Sequence, residues 1–367
     1  MPARIVMLVD LDYFFAQCEE LRNPSLKDKP VVVCVYSGRS QESGAVSTAN
    51  YVARKYGVRS GMPIYLAKKK LENVDAAFLP VDDQYYGEIS EKVMTTLRSY
   101  ADEFEQAGID EAYLDVTNRA QGSFLNAEKF AKEMKSELRN KLKLTCSIGV
   151  APNKLVAKIA ADQKKPDGLT VVTPNQLKEF LAPLPVDRLI GVGTKTVEKM
   201  RSLGVSRIDD LARYDVQKLI DVLGRTSGTY FHNAALGIDN EPVREKGEAE
   251  SISRIATLKQ DTTDLTTIIE KADQLCNEIH GRISDEKLTF KTVGIIAITT
   301  DMNLHTRSKT LDNPSSSLEL MKKTAAELFK KLQEETELEA RRIGVKVSNL
   351  MHIEENQKQI TSFLKPT

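Results

Sequence analysis

Gly108-Ile109-Asp110-Glu111-Ala112-Tyr113-Leu114-Asp115 decides how the chain folds. Two adjacent carboxylates stand between segments of strand character, Glu103-Phe104-Glu105-Gln106-Ala107 upstream and Ala112 to Val116 downstream. Neighbouring side chains of a regular strand point to opposite faces. Asp110 and Glu111 can therefore share a site only at a strand end, beside a turn or bulge, and Gly108 permits such a break. No Lys or Arg adjoins them in sequence, so the pair suits a hard cation such as Mg²⁺, which takes oxygen ligands. Alone, the pair also fits a solvated turn. A third carboxylate is what makes it a metal centre.

The start of the chain supplies that acid. Ile5 to Val9 reads as a short buried strand, closed by Asp10 and followed by Leu11-Asp12-Tyr13-Phe14-Phe15-Ala16-Gln17. Open α/β sheets place their chemistry at the carboxyl ends of such strands. Asp10, Asp110 and Glu111, converging from neighbouring strands, would hold two divalent ions. Such a pair clamps the attacking and leaving oxygens of an in-line phosphoryl displacement.

The remaining composition sets limits. A chain of 367 residues has room for about two to four domains, and its 41% hydrophobic content can build their cores. No apolar run approaches the roughly 20 residues that cross a bilayer, and the first ten residues read as a strand, not a signal peptide. Cys18, Cys34, Cys146 and Cys276 form no CxxC pair, and His232, His280, His305 and His352 are scattered. A zinc site or disulfide framework is not expected, and the reading is a reduced, cytoplasmic protein with no membrane association. The 52 basic and 52 acidic residues cancel, so any affinity for nucleic acid must come from how charge is distributed.

The motifs together carry a resemblance. Val9-Asp10-Leu11-Asp12-Tyr13-Phe14-Phe15-Ala16-Gln17 resembles the opening motif of the Y-family, translesion DNA polymerases, and Ile109-Asp110-Glu111-Ala112-Tyr113-Leu114-Asp115 resembles their second motif. The likeness is to the DinB, archaeal DNA polymerase IV-like branch and runs in register over nearly the whole chain. It implies that Asp10, Asp110 and Glu111 bind two Mg²⁺ ions, with Leu11 offering a backbone carbonyl to one of them. It also places Phe15 at the steric gate, where a ring beneath the incoming sugar leaves room for hydrogen at the 2′ carbon but not for hydroxyl.

Ser43 to Arg54 reads as a small-residue stretch entering a helix. Thr48, Tyr51 and Arg54 recur at i, i+3 and i+6, so they are expected near one helix face. A hydroxyl, a phenol and a guanidinium suit a polyphosphate, for which Arg offers forked donors. The family resemblance assigns these three residues, with Lys165 of Lys164-Lys165-Pro166-Asp167-Gly168, to the incoming nucleotide's triphosphate. Ala45 and Ser47 match the roof over the nascent base pair, where low bulk implies poor discrimination.

Periodicity predicts a helix from Asp82, with Tyr85, Ile89, Val93 and Leu97 on one face, and another over about 127–142. A strand at Thr145–Val150 and a helix to Asp162 follow. Asp187 to Met200 reads as helix, tight Gly191-Val192-Gly193 turn, helix: a helix-hairpin-helix whose amides can approach a DNA phosphate. Residues 241–250 are charged and lack periodicity, as a linker does. Beyond them, strand-helix-strand-strand-helix-strand is a ferredoxin-like succession. Arg254, Lys287, Lys291, Arg307, Lys309, Arg341, Arg342 and Lys346 lie on or beside its strands, and a basic sheet face laid along DNA phosphates is expected. In the tail, Gln357, Ile360, Phe363 and Leu364 have the spacing of the box by which replication proteins bind the sliding clamp.

The expectation is thus an α+β multidomain polymerase. Its palm has a mixed β-sheet with helices (1–10 and 80–172), with small fingers at 11–79 and a helical thumb at 173–240. A linker (241–250), a ferredoxin-like little finger (251–350) and a clamp-binding tail (351–367) complete it. It would work as a monomer on primer-template DNA and dNTP without proofreading, since no further carboxylate cluster suggests an exonuclease. Two rivals are another two-metal enzyme on a palm-like domain, such as a nucleotide cyclase, and an inactive DNA- and clamp-binding factor.

Overall fold

The computed structural model describes residues 4–352 apart from 246, 248 and 337. The chain divides into two compact units: Met1–Cys34, Val46–Met62 and Ala67–Lys246 form the first, and Val35–Ala45, Pro63–Leu66 and Gly247–Thr367 the second.

The elements up to the thumb region run β1 (Val6–Leu11), α1 (Phe14–Arg22), β2 (Val31–Tyr36), β3 (Gly44–Ala49), α2 (Tyr51–Lys55), α3 (Ile64–Lys70), β4 (Ala77–Pro80), α4 (Asp83–Arg98), β5 (Glu103–Gln106), β6 (Glu111–Asp115), α5 (Phe124–Glu137), β7 (Cys146–Ala151), α6 (Lys154–Ala161) and β8 (Leu169–Val171). A mixed five-stranded sheet has the order β5-β6-β1-β7-β8. β1 pairs antiparallel with β6 and β7, while β7 and β8 are parallel. β1 is central, and its uninterrupted apolar run is what burial on both faces demands. Ile5, Met7 and Val9 pack with Tyr86, Val93 and Leu97 of α4 and Ala131 and Met134 of α5. Val6 and Leu8 pack on the other face with Val156, Ile159 and Ala160 of α6. β2, β3 and β4 form a separate sheet, order β3-β2-β4.

Caps set the helix starts. Asp82, Ser123 and Asn153 accept hydrogen bonds from Tyr85 N, Asn126 N and Val156 N, satisfying amides that have no partner within the helix. Gly149 brings α6 close: a Cβ there would stand 2.0 Å from Ala157 O and 2.5 Å from Ala161 N.

The first unit continues through five short helices: α7 (Leu177–Leu181), α8 (Thr194–Ser202), α9 (Ile208–Arg213), α10 (Val216–Leu223) and α11 (Arg225–Ala235). Gly191, at φ +84, turns the chain between a 3₁₀ turn at Val186–Arg188 and α8, whose N-cap is Gly193. Part of the expected linker is docked: Val243 is buried, Arg244 N lies 3.5 Å from Glu105, and Arg98 pairs with Glu245 at 2.6 Å.

The second unit contains β9 (Ser251–Thr262), α12 (Leu265–Asp285), β10 (Leu288–Thr299), β11 (Leu304–Ser315), α13 (Leu318–Thr336), β12 (Ala340–Ser348) and β13 (Met351–His352). The ferredoxin-like succession is present, and in space the strands run β11-β10-β12-β9, all antiparallel. α12 and α13 cover one face through Ile279, Phe329, Phe290, Val293, Val345 and Val347.

The expectation of one basic sheet face is corrected here. Arg254, Arg307 and Lys309 meet Glu278 of α12 and Glu335 and Glu327 of α13, at 3.7, 2.7 and 3.0 Å, so they reach to the helix side. Arg341 sits where the pairing register slips and lies 3.6 Å from Asp261, which also holds Arg39. Arg342 and Lys346 alternate with the buried Ile343, Val345 and Val347 and so present to the opposite face. Acids on the covering helices draw Arg254, Arg307 and Lys309 over, a competition that the sequence pattern does not display.

Candidate active site

The acids meet where β1 ends and β6 begins. Asp10 is the cross-strand partner of Glu111, and Leu11 N donates to Asp110 O at 2.8 Å. Asp110 lies in the bend before β6, at the strand end that lets neighbouring carboxylates serve one site. Gly108 contributes space: a Cβ would be 3.3 Å from Glu111 Cγ and 3.4 Å from Asp110 Oδ1.

Burial pushes the Asp10 carboxyl up to about 6, against the pull of Lys165 and with some help from Asp110. Asp110 is raised by burial and then by Glu111. Each acid thus feels its neighbour's charge. Two lysines answer them: Lys165 Nζ lies 2.7 Å from Asp10 Oδ2, and Lys158 Nζ lies 2.9 and 2.7 Å from the two Glu111 oxygens. Lys165 is held above the ordinary lysine value, with Asp10 and Asp162 outweighing its burial.

Among the described residues no group of three or more His, Cys, Asp or Glu is placed to hold a metal ion by itself. Mg²⁺ does not require one, since it takes one or two carboxylates and completes its shell with water and substrate phosphates. Partly buried carboxylates that repel one another fit such an ion by donor type.

The nucleotide-directed residues need one correction. The helix begins at Tyr51, after Asn50, whose Oδ1 accepts from Ala53 N at 2.9 Å. Thr48 is therefore in β3 and not on a helix face with Tyr51 and Arg54; the Gly44–Ala49 stretch pairs with the apolar β2 instead. Arg54 Nε donates to Ala49 O at 2.8 Å, and its guanidinium lies 4.7 Å from the Tyr51 ring centroid. Burial raises the Tyr51 phenol, which also feels Arg54, Asp12, Lys165 and Asp10. Tyr51 is thus within electrostatic reach of Asp10 and Lys165, and Arg54 lies against the Tyr51 ring.

Tyr13, in the left-handed region at φ 36, turns β1 into α1. Phe14 enters the core, while Phe15 stays half-buried and stacks on Tyr86 with centroids 4.5 Å apart and planes 16° apart. Tyr86 is fully buried and donates to Glu19 Oε1 at 2.6 Å.

Known proteins show the same assembly. The impB/mucB/samB family model matches residues 9–162 and that of its C-terminal domain 249–362, while the DNA polymerase-iota thumb domain matches 187–239. DNA polymerase IV of Nitrosopumilus maritimus is 47% identical over 364 residues, 99% of this chain and 100% of that one. DNA polymerase IV 1 of Methanosarcina mazei is 43% identical, over 95% of this chain and 97% of its own. The chain belongs to the Y-family of DNA polymerases, in the DinB branch.

Solved Y-family structures agree. A chimera of Dbh and Dpo4 superposes with TM-score 0.89 at 38% identity, over 95% of this chain and 100% of that chain. The insertion ternary complex of Dbh gives 0.69 at 37% identity, over the same shares. The architecture is that of palm, fingers, thumb and little finger, and the enzyme is a template-directed, low-fidelity translesion DNA polymerase. Y-family polymerases act with two metal ions and bind DNA and dNTP. No helix among the described residues is long and apolar enough to cross a membrane.

Two sets of residues expected to contact DNA stand apart from the carboxylates in the chain: Gly191 and Gly193 in the hairpin before α8, and Arg254, Arg341 and Arg342 in the second unit. Gln357, Ile360, Phe363 and Leu364 lie outside the described residues. Sequence reading missed Lys158, Asp12 and Tyr86. A signal for Lys158 existed: Lys154 and Lys158, four apart in an otherwise apolar helix, share a face and meet Glu105 and Glu111 on adjoining strands.

Proposed function

We propose that Asp10, Asp110, Glu111 and the Leu11 backbone carbonyl would hold the two Mg²⁺ ions of this polymerase. The observation that carries this reading is the joining of the ends of β1 and β6, with Asp10 opposite Glu111 and Leu11 N bonded to Asp110 O. When bound, the ions supply Lewis acidity to the attacking hydroxyl and charge neutralisation to the leaving pyrophosphate. Tyr51, Arg54 and Lys165, with Thr48, hold the triphosphate and orient it for in-line attack. Phe15 excludes the 2′ hydroxyl by its ring.

DNA is gripped without reading its sequence. Gly191 turns the chain so that the amides following Gly193, at the α8 N-terminus, take a backbone phosphate. In the second unit Arg342 and Lys346, on the sheet face away from the buried Ile343, Val345 and Val347, take further backbone phosphates. Arg254 and Arg341 contribute after exchanging their carboxylate partners for phosphate. Gln357, Ile360, Phe363 and Leu364 dock on the sliding clamp, and the enzyme works as a cytoplasmic monomer without proofreading. The domain limits given above complete this reading.

Primer extension with Mg²⁺ tests it. Asp110→Ala and Glu111→Ala are each expected to lower extension by roughly a thousandfold, the scale of losing a group that stabilises transition-state charge, while primer-template affinity is retained. Normal extension by either variant removes the assignment.

A further inference from the structure

Asp12 lies one alternation beyond Asp10, and its side chain is only 1% exposed. Among the described residues it pairs with no lysine or arginine. A buried carboxylate without a cation is costly unless strong donors face it. Two do: Ser147 Oγ donates to Oδ1 at 2.7 Å and the Asp167 amide to Oδ2 at 2.8 Å. Ser147 Oγ in turn accepts from the Gly168 amide at 3.2 Å. The carboxylate thereby holds two successive amides of the turn that follows Lys165.

That turn is tied from its other side as well. Asp167, at φ 56, gives its carboxylate to Lys135 at 2.8 Å and to Arg139, and Lys135 also reaches Gly168 O at 3.1 Å. A Cβ at Gly168 would stand 2.4 Å from Lys164 O, so the turn has little room to relax. At its head Lys165 Nζ sits 2.7 Å from Asp10. One strand end thus sets both parts of this lysine: Asp10 meets the ammonium, and Asp12 meets the backbone that carries it.

We propose that Asp12 is a positioning residue for nucleotide binding: through the Asp167 amide and Ser147 it fixes the Lys165 turn, so that the ammonium is preorganised for the incoming triphosphate. The proposal rests on the assignment of Lys165 to the triphosphate. A charged acceptor holds an amide more firmly than a neutral one, which gives a reason for an acid at a position where Asn would also fit.

The experiment is equilibrium binding of the complementary dNTP to the enzyme on a dideoxy-terminated primer-template with Mg²⁺. Asp12→Asn and, by a separate route to the same turn, Ser147→Ala are each expected to weaken dNTP binding about tenfold, the scale of one hydrogen bond to a charged group. Primer-template affinity stays unchanged. In a Lys165→Ala background Asp12→Asn then adds no further loss, because coupled residues are not additive. Unchanged dNTP affinity in both Asp12→Asn and Ser147→Ala, or an additive loss in the double variant, overturns the proposal while leaving Lys165 its role. If Lys165→Ala alone leaves dNTP affinity unchanged, the assignment beneath it is what fails.

Discussion

Lys158 Nζ bonds both carboxylate oxygens of Glu111, at 2.9 and 2.7 Å, and so joins α6 to the first residue of β6. This cation faces the acid assigned to a metal ion, and like charges repel. Lys158→Met keeps the apolar stem and removes the charge. The variant is expected to bind Mg²⁺ more tightly by about fivefold, equivalent to ~1 kcal/mol for a partly exposed charge pair. Direct titration of the metal checks this, and an unchanged or weaker affinity rejects competition between Lys158 and the ion.

Phe15 is backed by Tyr86, whose ring is anchored by its hydroxyl on Glu19. The gate proposed for Phe15 works only if the ring cannot yield when a ribose presses on it. Phe15→Ala is expected to raise ribonucleotide insertion relative to deoxynucleotide insertion by roughly 10- to 200-fold, the range set by apolar contacts in a pocket. Competing kcat/KM values for the two sugars are the measurement, and an unmoved ratio places the gate elsewhere.

The parts of this molecule that the sequence announced are those with a short-range cause. Asp10 closes an apolar strand, Gly108 precedes two acids at a strand end, and the helices of the palm repeat their apolar residues on one face. The i, i+3 spacing that puts Thr48 on a helix face ignores where the helix starts, and only the Asn50 cap decides that. Strand alternation tells which residues share a sheet face, not which acids wait on the helices behind it, and so overstates the basic face. Lys158 and Asp12 act across 47 and 155 positions of chain, through Glu111 and Asp167. For Asp12 a separation of that length leaves no local pattern to read, whereas Lys158 leaves only its spacing from Lys154, which does not name the acid it meets.

Asp10 gives the metal site a pH dependence. Its carboxyl is pushed up to about 6 by burial, so it is ionised at neutral pH and takes up a proton as the pH falls through about 6. Metal ions bind the carboxylate and displace that proton. Mg²⁺ affinity is therefore expected to be flat above neutrality and to fall by up to about tenfold per pH unit below 6, as one-proton linkage requires. The raised Asp110 steepens the fall in the same direction. Metal titrations at a series of pH values follow this, and a flat profile down to pH 5 contradicts it.

Gly149 ties stability to catalysis. α6 crosses β7 with the Ala157 carbonyl at 2.0 Å from where a Cβ would stand, a separation that side-chain rotation cannot relieve because both partners are backbone. Gly149→Ala must push α6 outward. Overpacking at such a contact costs about 1–3 kcal/mol or more, and the melting temperature is expected to fall by several degrees. Because α6 carries Lys158, the displacement also separates its Nζ from Glu111. The same variant should therefore tighten Mg²⁺ binding in the direction argued for Lys158→Met. A destabilised protein with unchanged metal affinity shows that the lysine follows its carboxylate and not its helix.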